Sequence, residues 1–166
     1  MVVPENVENE GVAGMPLAMD PSLPVDCSTY HCIFEHMLNG MAYCRVLFEA
    51  GRPYVCLFLY TNPAFELQTG LTAVTGKRVS EVIPGILTQD YPLVERIGRI
   101  AQGGAPEKFE VYVTALKGWL ALSAYSPAPD HAVVLFDVIT ERKLAEEMLK
   151  RSEGEIVNNI GGGVTD

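Results

Sequence analysis

Residues 136–152 read FDVITERKLAEEMLKRS, and within them the chain changes from a buried strand to an exposed helix. Upstream, His131 to Phe136 is an apolar run containing β-branched residues, of the kind that forms a strand covered on both faces. Downstream, Glu141 to Arg151 is charged, rich in helix formers and free of Gly, Pro and β-branched residues. Thr140 stands at the expected N-cap, its hydroxyl placed to accept a hydrogen bond from a free N–H of the first turn. Glu146 with Lys150, and Glu147 with Arg151, are spaced i,i+4 with the acid first, the stabilising order. Asp137 is the exception, an acid ending an apolar strand, with Arg142 and the first helical turn as its expected partners. A core strand is thus joined to a helix that leaves the domain, with Asp137, Thr140 and Arg142 at the joint.

Earlier in the chain, residues 41–49 alternate Ala42, Cys44, Val46 and Phe48 with Met41, Tyr43, Arg45 and Leu47. Residues 54–61 are apolar on both faces, and the Gly- and Pro-containing loop between the two runs predicts an antiparallel hairpin. A short helix capped by Asp26 or Ser28 precedes them, running to about Leu38, with Asn39 and Gly40 as its stop. Between residues 62 and 104 the pattern is helical, with short turns expected at 63–68, 72–74 and 80–82. A longer helix follows at 91–102, with Val94, Ile97 and Ala101 on one face. Three further strands are expected at 108–114, 119–126 and 131–139. The fold class that follows is α+β: a five-stranded antiparallel sheet with helices over one face, an N-terminal helix and a C-terminal exit helix. Residues 1–25 read as a disordered tail, 26–140 as the domain, 141–153 as the exit helix and 154–166 as a flexible tail.

Two stretches resemble the signature of PAS sensor domains, as found in bacterial sensor histidine kinases and diguanylate cyclases. Asp137-Val138-Ile139-Thr140 resembles the D-I-T motif that closes such domains, with one inserted residue. Thr61-Asn62-Pro63-Ala64-Phe65, Thr69-Gly70-Leu71 and Gly76-Lys77-Arg78 resemble the family's N-x-A-F…T-G…G-[KR] core, in the same order. The resemblance covers residues 33–152. It implies a PAS-like fold whose cavity between sheet and helices holds haem, flavin, a small metabolite or nothing. It also implies a homodimer, and a signal relayed through the exit helix to a kinase or cyclase output domain, in cis or in trans, as in two-component systems.

Composition sets limits on this reading. A chain of 166 residues, 48% hydrophobic, suits one domain with a real core. A net charge of −9 argues against a surface for nucleic acid or anionic lipid, which needs concentrated Lys and Arg. Cys27, Cys32, Cys44 and Cys56 crowd the first third and do not resemble a disulfide framework, which points to a reducing cytoplasm. Glu5, Glu8 and Glu10 stand where a signal peptide would be basic and then apolar. No run approaches the roughly eighteen apolar residues of a membrane span, so no membrane contact by this chain is expected.

Candidate chemistry is sparse. Cys27, His31, Cys32 and His36 form two i,i+4 pairs of metal-capable side chains. The pairs lie about 140° apart around a helix, so no metal site is expected. His131 has no Ser or Cys partner at a recognisable spacing, and Gly161-Gly162-Gly163 follows no strand and opens no helix, so it is no phosphate loop. No catalytic residue can be nominated, and the chain is expected not to be an enzyme. The ligand-binding candidates are Tyr43, Tyr60, Phe65, Trp119 and Tyr125, on elements that would surround the cavity, with Arg45 and Arg99 for a carboxylate if they point inward. Plain core packing for the aromatics and solvent exposure for the arginines are the commoner roles.

Cofactor motifs of the family are missing. Flavin photosensors carry a reactive Cys in a G-x-N-C-R-F-L-Q stretch, and residues 61–76 here contain none. Haem-binding members use a His on the long helix, and residues 91–102 contain none. The resemblance therefore implies a cofactor-free sensory or dimerising module that binds a small molecule or a partner. Its rivals are a redox sensor with non-covalent flavin or atypically ligated haem, and a small enzyme using the same cavity.

Overall fold

The computed structural model describes residues 27–160; the expected tail at 1–25 and residues 161–166 lie outside the described residues. Helix α1 (Cys27–His36) leads into a hairpin of β1 (Gly40–Glu49) and β2 (Arg52–Thr61). Helices α2 (Pro63–Thr69), α3 (Val79–Val82), α4 (Ile86–Gln89) and α5 (Tyr91–Ala101) follow. Then come β3 (Glu107–Val113), a 3₁₀ turn (Thr114–Leu116), β4 (Gly118–Tyr125), β5 (His131–Val138) and α6 (Thr140–Ile160). The five strands form one sheet in the order β2-β1-β5-β4-β3, every neighbouring pair antiparallel. This is the α+β architecture that the alternation and turn chemistry predict.

Period-2 alternation gives the sheet an inner and an outer face. Ala42, Cys44, Phe58, Leu120, Leu122 and Phe136 point inward and form one buried cluster with Phe65, Ile83, Ile86 and Val94 from the helices. Two glycines allow close approach. A Cβ on Gly40 would strike the Phe136 ring across the β1–β5 pair, and one on Gly98 would lie 2.8 Å from Pro53 Cγ, where α5 crosses the hairpin.

Three expectations change. Residues 72–74 form no helix: Ala73 and Gly76 sit at φ 52° and 82°, so the chain turns there. Helix α4, not foreseen, starts behind Gly85 at φ 91°. Helix α6 passes Gly154 and reaches Ile160, beyond the expected end at 153. A single glycine inside a helix costs only about 1 kcal/mol, too little to stop one flanked by good helix formers.

Asn62 fixes how the helical layer enters. It is 1% exposed, and each of its amide atoms has two partners. Its Oδ1 accepts from Phe65 N at 3.0 Å, capping α2, and from Met41 N at 2.8 Å, at the start of β1. Its Nδ2 donates to Asn39 O at 3.0 Å and Phe34 O at 3.2 Å. Replacing Asn62 by Ala should cost about 2–4 kcal/mol, because a cap is lost and buried backbone groups are left unpaired. Urea denaturation measures this, and a loss below about 1 kcal/mol would show that water replaces the amide at no great cost.

Candidate functional site

Between the inner face of the sheet and the helices lies a cavity of about 130 Å³. Strand residues Ala42, Cys44, Cys56, Leu122 and Val134 face helix residues Phe65, Thr69, Val79, Ile83 and Val94 across it. Phe65 stands edge-to-face with both Phe58 and Phe136, at centroid distances of 5.5 and 5.6 Å, so three rings form a chain along the cavity wall. Among the described residues, no Asp, Glu, Lys, Arg or His lines the cavity. The Thr69 hydroxyl is engaged locally, donating to Phe65 O at 2.7 Å and accepting from Leu71 N at 3.2 Å. The remaining polarisable groups are two thiols. Burial pushes Cys56 up to about 11, and pushes Cys44 higher still, with the neighbouring Cys56 adding to the effect. Both are protonated near neutral pH and are poor nucleophiles there.

Of the seven ligand-binding candidates, Phe65 alone lines this cavity. Tyr43, on β1, stacks on His131 at 5.5 Å. Arg45, next but one along the strand, is exposed. The Tyr60 hydroxyl donates to Glu35 Oε1 of α1 at 3.0 Å; its pKa is raised by burial and then by this carboxylate. Trp119 packs against Tyr112 at 5.8 Å with the Lys143 ammonium 5.0 Å from its ring. Tyr125 and Arg99 are exposed, at the end of β4 and in the last turn of α5.

The alternation held the signal that corrects this. The strand residues with Arg45 (Tyr43), with Ser123 (Trp119, Tyr125) and with Asp137 (Leu135) share the parity of a polar side chain, and that parity is the less buried one. Bulk suggested core, but the polar member decides the face. The thiols were missed because, by sequence, Cys44 and Cys56 are weighed only as members of a disulfide framework. On α1, the His36 ring Nδ1 lies 2.8 Å from Cys32 O and His31 Nε2 lies 3.7 Å from Glu35 Oε1, so these side chains are engaged along their own helix.

The joint after β5 is a network around Gln68 of α2. Its Nε2 donates to Leu38 O at 2.9 Å and to Asp137 Oδ1 at 3.4 Å, and its Oε1 accepts from Val138 N at 2.9 Å. Asn39 Nδ2 donates to the other Asp137 oxygen. The expected partner of Asp137, Arg142, turns instead to Glu110 of β3, with Glu146 3.6 Å away. Thr140 lies inside α6, and its Oγ1 accepts from Trp119 N at 3.0 Å, so it ties the helix to β4 and does not cap it. Lys143 joins Arg142 on Glu110, and the two hydrogen bonds hold that carboxyl below its ordinary value.

No protein-family model matches the sequence, and no curated protein matches it. Among solved structures, an RNA-binding Light-Oxygen-Voltage receptor matches over 95% of this chain at 17% identity and a TM-score of 0.52. The fold is that of a PAS domain. The chain spans only 43% of that receptor. The LOV protein of Rhodobacter sphaeroides matches 69% of this chain and is itself covered over 68%, at 13% identity and TM-score 0.45. The photoactive yellow protein domain of the sensor histidine kinase Ppr from Rhodospirillum centenum matches 64% and is covered over 90%, at 11% identity and TM-score 0.43.

The cavity of this PAS fold does not fit a flavin or a haem as it is arranged. About 130 Å³ is well below the roughly 300–1,000 Å³ of pockets that enclose drug-sized ligands. The polar edge of a flavin ring would also meet no side-chain amide, carboxylate or cation. The thiols give a direct check. Against an aromatic disulfide reagent at about pH 8, Cys27 and Cys32, both exposed, should react within seconds to minutes, half-buried Cys56 far more slowly, and buried Cys44 only after denaturation. Four equivalent fast thiols would show that the cavity opens readily to water.

Proposed function

We propose that this chain is a sensory PAS module of bacterial-type signal transduction, without catalysis of its own, in which occupancy of the apolar cavity alters how α6 leaves the sheet. The observation that carries this reading is the placement of α2. Phe65 and Thr69 of that helix line the cavity, while Gln68, between them in sequence, holds Asp137 and Val138 where β5 gives way to α6. A ligand that binds two positions of α2 with different affinity therefore changes the grip on the joint, the condition for any ligand-driven shift.

Helix α6 suits an output element. Leu144, Met148 and Leu149 are 55%, 72% and 63% exposed along it. Such a face pairs with a second copy, or with a kinase or cyclase domain, in cis or in trans. The sensor occupies residues 26–140 in this reading, with α6 as the relay and Asp137, Thr140 and Arg142 at its root. A reducing cytoplasm fits the two exposed free thiols, and among the described residues no helix is long and apolar enough to cross a membrane. The RNA binding of the matched receptor is not carried over, because a net charge of −9 provides no cationic surface for phosphates. The flavin-redox and enzyme readings lack support in the cavity, where the only ionisable groups among the described residues are two thiols held protonated.

Fusing the domain through α6 to a histidine kinase tests the relay. Gln68→Ala and Asp137→Ala should each change basal output several-fold while costing the domain only about 1–2 kcal/mol of stability, so it remains folded. Unchanged output from both folded variants would reduce α6 to a tether.

A further inference from the structure

We propose that the cavity is a binding site for a small uncharged hydrocarbon, an aromatic ring of benzene or toluene size. The proposal deepens the sensory reading and takes its purpose from it, but binding is measured without any output.

Size comes first. An apolar protein cavity of about 150 Å³ takes benzene or xenon and otherwise stays dry, and this one measures about 130 Å³. Water gains little there, because a buried water needs two to four polar partners and the wall offers a Thr69 hydroxyl already engaged and two thiols. Charge is the second limit. With no ionic side chain in the wall, a carboxylate, phosphate or ammonium would lose its hydration with nothing to replace it. Burial of Cys44 and Cys56 closes the remaining route, since neither offers a thiolate to a cation, a soft metal ion or an electrophile near neutral pH.

Shape is the third argument. Phe58, Phe65 and Phe136 already meet edge-to-face, and a ring in the cavity extends the series in the geometry aromatic quadrupoles favour. The two sulfurs add soft contacts of the kind that stabilise a ring edge. The wall belongs to many elements, all five strands below and α2, α3, α4 and α5 above, so one small guest touches both layers.

Amide NMR of the full chain, titrated with benzene, toluene, phenol and benzoate, tests the site. Benzene and toluene should give saturable shifts centred on Phe65, Thr69, Val79 and Val134. Phenol should bind roughly tenfold more weakly and benzoate at least a hundredfold, for want of partners. Affinity for benzene should stay constant from about pH 6 to about pH 9, because no wall group titrates in that range. Val94→Phe and Cys56→Met each fill the space; whichever variant keeps a folded spectrum should lose the benzene shifts. Equal binding of benzoate, shifts centred on the outer face, or undiminished binding to a folded filled variant would each overturn the proposal. Saturable benzene binding with no change at the α6 amides would uphold the site and refute the relay. No binding, while Gln68→Ala still alters kinase output, would do the reverse.

Discussion

The structure depends on one buried amide. Asn62 closes β2 and opens α2, and its side chain is the only point where the end of α1, the turn into β1, the first residues of β1 and the first turn of α2 meet a common partner among the hydrogen bonds described. The amide matches this place because it is both acceptor and donor. Oδ1 serves two N–H groups and Nδ2 serves two carbonyls, a division that neither a carboxylate nor a hydroxyl reproduces. A fully satisfied buried network specifies one arrangement and penalises others. Here it sets the angle of α2, which puts Phe65 into the core and Gln68 beside the end of β5.

The order of elements was legible in the sequence because two periodicities are hard to confuse. Alternation in residues 41–49 and 108–114 cannot be helical, and the spacing of Val94, Ile97 and Ala101 cannot be a strand. Which face of the sheet turned inward was less legible, since both parities of β1 are largely apolar. Trp119 and Tyr43 are large enough to read as core, yet each covers the outer surface through a cationic or aromatic neighbour, Lys143 and His131. Small residues, Ala42 and Cys44, face the helices instead, and the cavity exists partly because they do.

The joint was half legible. An acid ending an apolar strand does need partners, and Asp137 has them. They lie 98 and 69 residues away in sequence, at Asn39 and Gln68, where local reasoning has no reach. Arg142 was the near candidate, but on a helix it projects toward the outer face of the sheet, where Glu110 stands. Thr140 follows the same logic. Ile139 O already accepts from Lys143 N at 3.0 Å, so the helix begins one residue earlier and the threonine hydroxyl is free to take the Trp119 N–H.

Helix α6 is therefore rooted by two sets of contacts that differ in kind. On the outer face the ties are ion pairs of half-exposed side chains, Glu110 with Arg142 and Lys143, which contribute little individually and weaken with salt. At the end of β5 the ties are amide hydrogen bonds from Asn39 and Gln68, both anchored through backbone that Asn62 organises. The second set is geometrically stricter, because a displaced amide loses its bonds over a few tenths of an ångström while an exposed ion pair tolerates rearrangement. Movement of α2 would thus be felt sharply by Asp137 and Val138, whereas the ion pairs would keep the helix attached throughout. A root that is strict in one set of ties and compliant in the other would let the helix pivot without detaching, which is what the proposed transmission through α6 requires.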